Sequence, residues 1–130
     1  MTLVDSSAWV EFLRATNSPV HQRLKELVGS DRPLVTTGPI AMELLAGARS
    51  PVEHTQIRGV LAACANVPVD AGRDWEDAAA LYSACRRAGS TPRKLLDCLI
   101  AAVAIREGVP VLAMDRDFDL LAEHTALETV

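Results

Sequence analysis

The chain has 130 residues and a mass of 14.0 kDa, a length at which one fold buries roughly 68% of its unfolded surface without metal or disulfide staples. An apolar fraction of 49% against 23% charged excludes a disordered or fibrous polypeptide. With 13 basic and 17 acidic residues the net charge is −4, which argues against a broadly basic surface that coats nucleic acid.

Short apolar runs alternate with helical patterns, as expected of an α/β fold with a central parallel sheet of about four to five strands flanked by helices. Residues 2–5 read as a short buried strand that runs straight into a helix over 7–14. A second helix over 19–29 leads to a strand over 34–37. Gly38 and Pro39 open the next helix, which runs to Arg49, because proline is favoured at the first helical position. A helix over 52–65 precedes a strand over 67–69, and another helix spans 75–88. Thr91 and Pro92 read as the cap and first turn of a helix that Gly108 stops. A strand over 109–114, a short helix over 118–123 and an edge strand over 126–130 complete the pattern.

Five aromatics, Trp9, Phe12, Trp75, Tyr82 and Phe118, are too few for a base-stacking platform. Trp9, Phe12 and Phe118 share faces with aliphatic residues and are expected in the core. Cys64, Cys85 and Cys98 are odd in number and lack CxxC spacing, so they suit buried small hydrophobes in a reducing compartment. No run approaches the roughly 18 apolar residues of a spanning helix, and the first residues lack the basic n-region of a signal peptide. A cytoplasmic protein without a membrane segment is expected.

Four carboxylates stand in informative places. In open parallel sheets, ligands sit beyond the carboxyl ends of the strands, where Asp5 and Asp115 end the first strand and the 109–114 strand. Glu43 borders an apolar stripe that contains Ile40 and Leu44. Asp97 shares a helix face with Ile100, Ala101 and Ala104. A carboxylate beside a buried face is costly unless something cationic meets it. Each acid also has a simpler reading. Asp5 or its neighbours Ser6 and Ser7 could cap a helix, Glu43 could pair with a surface arginine, Asp97 with Arg93 or Lys94, and Asp115 could be a loop or capping residue. Together they suggest one electronegative pocket whose like charges require a counter-cation.

The donor set is all oxygen, and His21, His54 and His124 show neither HxH nor HExxH spacing. Hard oxygen donors select Mg2+ or Mn2+ over zinc. Without a Ser/His or Cys/His nucleophile, such a site points to phosphoryl chemistry. Walker and GxGxxG loops are absent, which disfavours nucleoside triphosphates and dinucleotides.

The segments Leu3-Val4-Asp5-Ser6-Ser7-Ala8-Trp9, Met42-Glu43-Leu44-Leu45-Ala46-Gly47, Asp97-Cys98-Leu99-Ile100-Ala101-Ala102 and Asp115-Arg116-Asp117-Phe118 resemble the PIN domain, and more narrowly VapC, the ribonuclease toxin of type II toxin–antitoxin pairs. The resemblance spans nearly the whole chain and implies a single PIN domain over 1–130. It implies an endoribonuclease in which Asp5, Glu43, Asp97 and Asp115 form the acidic quartet. That quartet would hold Mg2+ or Mn2+ to activate the water that hydrolyses an RNA phosphodiester. Asp117 matches an additional, less constant acidic position associated with a second metal. Homodimerisation and inhibition by a cognate VapB-type antitoxin are implied as well. One departure is visible: many relatives carry Ser or Thr where Ala113 stands, which weakens the case for a second metal.

An acidic pocket repels a polyanion, so cations must surround it. Of the 13 basic residues 11 are Arg, whose guanidinium suits phosphate. Arg86, Arg87, Arg93 and Lys94 flank the turn before Asp97, and Arg116 lies between Asp115 and Asp117. These are the candidate RNA-phosphate contacts, set against solvated faces and an i,i+3 pair of Lys94 with Asp97. Two other functions compete. A catalytically weak PIN-like module would only bind RNA or an antitoxin. A phospho-receiver domain would need paired acids after the first strand, an isolated acceptor Asp and a late Lys, yet Asp5 stands alone and no Lys follows Lys94.

Overall fold

The computed structural model describes residues 1–130. Thr2, Leu3 and Val4 are all buried, and a strand buried on both faces belongs inside a parallel sheet. This strand, β1 (Thr2–Val4), is followed by α1 (Ser6–Leu13), α2 (Pro19–Val28), β2 (Leu34–Thr36), α3 (Gly38–Ala46), α4 (Pro51–Ala62) and β3 (Ala65–Asn66). The chain continues through α5 (Asp74–Arg87), α6 (Leu95–Glu107), β4 (Val111–Leu112) and α7 (Arg116–His124). The strands form one sheet in the order β3-β2-β1-β4, every neighbouring pair parallel. Their carboxyl ends therefore share one rim. The Asp5 N–H donates to the Leu112 carbonyl at 2.9 Å and fixes Asp5 on that rim.

Helix α6 explains how a carboxylate comes to lie inside. Every residue from Asp97 to Ala104 is buried, so this helix is covered all round and Asp97 has no solvent face to turn to. It ends at Gly108, whose left-handed backbone (φ 65°, ψ 34°) a Cβ would disfavour. Helix α5 packs along α6. Asp74 of α5, fully buried, receives Arg106 of α6 through Nε at 3.0 Å and Nη2 at 2.9 Å, a two-pronged clasp between the two helices. Trp9 and Phe118 are core, and Phe12 meets Trp9 edge-on at 5.7 Å. Cys85 and Cys98 are buried, and burial pushes the Cys98 thiol up to about 12.

Some expected boundaries shift, each for a local reason. The third strand lies at Ala65–Asn66 rather than over 67–69. The Val67 N–H still donates to Thr36 O at 2.8 Å, but Pro68 has no N–H to continue the ladder. The edge strand expected over 126–130 contracts to a single bridge between Val111 and Thr129. Helix α6 starts at Leu95, not at Thr91 and Pro92, because the Arg93 and Lys94 N–H groups are drawn to the Asp117 carboxylate. Helix α7 starts at Arg116, ahead of the expected Phe118, because Asp115 caps it.

Candidate active site

The first site acid is also a helix cap. Asp5 Oδ2 accepts the Ser7 N–H at 3.1 Å and the Ser7 hydroxyl at 2.6 Å. Asp5 Oδ1 is buried and has no hydrogen-bond partner. Burial raises this carboxyl above its ordinary range, against the lowering effect of Ser7 and of the Lys94 charge. The capping and site readings of Asp5 thus use different oxygens.

Glu43 stands half-buried on α3, where the Ser6 hydroxyl donates to Oε1 at 3.3 Å. Burial and then the Asp5 charge raise its carboxyl. Asp97, in the first turn of α6, is 1% exposed, and neither of its oxygens has a hydrogen-bond partner. Burial pushes it up to about 8, and the neighbouring Asp117 carboxylate adds to the shift. Asp115 caps α7, with Oδ1 accepting the Asp117 N–H at 2.9 Å.

Asp117 is in a different condition. It is 1% exposed, and its oxygens accept the Arg93 N–H at 3.0 Å and the Lys94 N–H at 3.0 Å. Burial would raise it, but these donors, Asp97 and the Arg93 charge prevail and hold it below the usual carboxylate range.

Oxygens of Asp5, Glu43 and Asp97 lie within 4.8 Å of one another, and so do oxygens of Asp97, Asp115 and Asp117. The four strand-end and helix acids expected to converge do converge, with Asp97 shared between both groups. Such a gathering of buried, unpartnered carboxylate oxygens fits a hard divalent cation. All of the acids belong to oxygen-only groups; no histidine or cysteine joins them.

The basic candidates divide. Lys94 Nζ lies 3.7 Å from Glu43 Oε2, 3.8 Å from Asp97 Oδ1 and 3.6 Å from Asp115 Oδ2, inside the cluster. Arg93 reaches Asp115 at 3.5 Å and Asp117 at 3.8 Å. Arg86 and Arg87 are exposed in the last turn of α5, with Arg86 over the Tyr82 ring at 5.8 Å. Arg116 is exposed in the first turn of α7. No ion pair joins these three to the acids. A groove of about 590 Å³ opens beside the cluster, lined by Ser6, Glu43, Val10, Ile57, Arg14 and Arg49. Sequence reasoning missed Arg14, which directly follows the helix capped by Asp5, and Arg49, three residues past the end of the helix that carries Glu43. It also missed the ties made by Ser7, whose hydroxyl oxygen accepts the Met114 N–H at 2.9 Å while donating to Asp5.

The PIN domain family profile matches residues 2–124. The chain belongs to the PIN-domain family. Within it, Ribonuclease VapC11 of Mycobacterium tuberculosis is 41% identical over 129 residues, covering 98% of this chain and 96% of the relative. The solved structure of VapC20 of Mycobacterium tuberculosis, described as a sarcin–ricin loop cleaving toxin, superposes with a TM-score of 0.67 at 19% identity, over 97% of each chain. That of VapBC2 from Rickettsia felis, bound to a DNA fragment from their promoter, gives 0.72 at 16% identity, over 99% of this PIN domain and 98% of the other chain. The family match decides against the phospho-receiver reading.

Proposed function

We propose that this PIN domain is the ribonuclease toxin of a VapBC-type toxin–antitoxin pair, a Mg2+- or Mn2+-dependent endoribonuclease. The observation that carries the metal requirement is the pair of buried carboxylates, Asp5 and Asp97, whose unpartnered oxygens converge with Glu43. Water cannot reach them freely, and two such groups cannot both stay ionised without a cation. Asp5, Asp97 and Glu43 would hold the ion, with Asp115 beside them. An ion held there would supply Lewis acidity, which makes hydroxide available near neutral pH and offsets charge on the phosphate.

The chain's own groups do the rest. Ser7 fixes Asp5 and the turn before Asp115 in one arrangement, and Ser6 turns Glu43 towards Asp5. Glu43, half-buried at the open side, would complete the oxygen set around the ion. Arg93, Lys94 and Arg116 would meet the scissile region of the RNA, with Arg86 and Arg87 further along it. The groove beside Glu43 would extend the track, with Arg14 and Arg49 as added contacts. A VapB-type antitoxin as inhibitor, and assembly as a homodimer, belong to the same reading. The structural likeness to VapBC2 supports the first, and exposed Val52 and Trp75 leave apolar surface for the second. No helix is long and apolar enough to cross a membrane.

The test is cleavage of RNA by the wild type with Mn2+, against EDTA and against Asp5→Asn. Cleavage that needs the ion and the carboxylate supports the reading, and equal cleavage by all three overturns it.

A further inference from the structure

The two carboxylate groups at the rim are compensated unequally. In the group of Asp97, Asp115 and Asp117, every member already faces a protein cation or a ring of donors. Arg93 meets Asp115 and Asp117, Lys94 Nζ meets Asp97 and Asp115, and Asp117 is filled by backbone N–H groups. In the group of Asp5, Glu43 and Asp97, buried Asp5 Oδ1 and Asp97 Oδ2 face neither a donor nor a basic side chain. Lys94 Nζ also reaches Glu43 Oε2 and Asp97 Oδ1, so what the Asp5 group lacks is a cation at Asp5 Oδ1 and Asp97 Oδ2, whereas every member of the Asp117 group is met.

We propose that the Lys94 ammonium stands where a second metal ion would bind, so that this site loads one divalent cation, held by Asp5, Glu43 and Asp97. The inference rests on the metal-dependent reading above and adds the number of ions and the residue that sets it. Lys94 Nζ lies 3.6 Å from Asp115 Oδ2, 3.7 Å from Glu43 Oε2 and 3.8 Å from Asp97 Oδ1, and makes no ion pair with Asp5. A second ion drawing on Asp97 and Asp115 needs those oxygens at about 2.0–2.2 Å. It would have to share them with a fixed positive charge. The Lys94 N–H is held by buried Asp117 at 3.0 Å, which fixes the main chain from which the side chain reaches these acids. During hydrolysis the same charge is positioned to offset negative charge building on the phosphate, a task that a second ion performs in two-metal nucleases.

The experiment counts ions on the full, metal-stripped chain by titration with Mn2+, reading free Mn2+ by electron paramagnetic resonance. Wild type is expected to saturate at one ion per chain, Lys94→Gln to take up a second, and Lys94→Arg to stay at one. Circular dichroism melting of each variant establishes that it is folded. Two ions on wild type, or a single ion on Lys94→Gln with unchanged affinity, overturns the inference and leaves metal dependence standing. No ion on wild type overturns the metal-dependent reading itself.

Discussion

Asp117 and Lys94, 23 residues apart in sequence, meet where two helices begin, the Lys94 N–H donating to Asp117 Oδ2 at 3.0 Å. With the Arg93 N–H on the same carboxylate, α7 supplies the acceptor at the start of α6, whose N-cap residue Lys94 makes no side-chain cap. Asp117 therefore acts on the site by holding the turn that carries Arg93 and Lys94. Asp117→Asn is expected to destabilise the protein by about 1.5–3 kcal/mol, the range for hydrogen bonds to a charged acceptor. It should still bind Mn2+. Urea denaturation and Mn2+ titration read the two effects separately. A variant that keeps its midpoint but loses the ion, as Asp5→Asn would, makes Asp117 a ligand rather than a cap.

Asp97 carries a cost that a metal ion relieves. Its carboxyl binds a proton more tightly in the folded chain, at about 8, than in the unfolded chain, near 3.8. Between those values the folded state holds the extra proton, so metal-free stability falls as pH rises through the window. Asp97→Asn removes that slope. In EDTA at about pH 8 the variant is expected to exceed wild type by on the order of 1–3 kcal/mol, a tenfold change in proton affinity being about 1.4 kcal/mol. At about pH 5 the gap closes. Saturating Mg2+ should narrow the gap at high pH, because only wild type gains binding energy from it. A wild type that is as stable as the variant in EDTA at high pH would contradict this account.

The sites that were legible in the sequence share a property: their position follows from one local pattern. Asp5 directly follows an apolar strand, Asp115 follows the apolar run that continues two residues past β4, and Glu43 and Asp97 adjoin apolar helix positions, so the pocket is foreseeable without tertiary detail. Asp117, Ser7 and Lys94 were not foreseeable in their observed roles. In the sequence Lys94 offers a phosphate contact or an i,i+3 partner of Asp97. The pair exists at 3.8 Å, but contact with Glu43 and Asp115 depends on three elements meeting. The start of α6 was misplaced for the same reason. Thr91 and Pro92 are a sound local cap, and a carboxylate 24 residues beyond Arg93 outcompetes them.

The Ser7 hydroxyl donates to Asp5 at 2.6 Å and accepts the Met114 N–H at 2.9 Å, tying the two strand ends that carry Asp5 and Asp115. Ser7→Ala removes one oxygen and both of its hydrogen bonds at little change in volume. We expect Mn2+ affinity or cleavage rate to fall about 10–100-fold, as for other groups that orient metal ligands. Ser7→Thr keeps the hydroxyl and should recover most of the loss. If alanine and threonine behave alike, hydroxyl positioning is not what Ser7 contributes.

Away from the site, the Asp74–Arg106 clasp ties the start of α5 to the end of α6. Arg106 Nη2 also donates to Pro68 O at 2.9 Å, and the Asp70 N–H donates to Asp74 at 2.7 Å. Burial would raise the Asp74 carboxyl, but the Arg106 hydrogen bonds, the Asp70 N–H and the Arg106 charge outweigh it and hold the group below its ordinary 3.8. Below that value the unfolded chain binds the proton first. The contribution of Asp74 is therefore complete above the unfolded pKa and is lost as pH falls through the folded one. Asp74→Ala is expected to cost about 3 kcal/mol at neutral pH, the low end for breaking a buried pair, since the largely buried guanidinium keeps Glu107 and the Pro68 carbonyl. The double change Asp74→Leu with Arg106→Leu should cost much less than the two single changes added together. Urea denaturation of the four proteins at neutral pH and at about pH 3 measures both effects. Additive losses, or an Asp74→Ala penalty as large in acid as at neutrality, would show that the clasp stabilises through packing rather than charge.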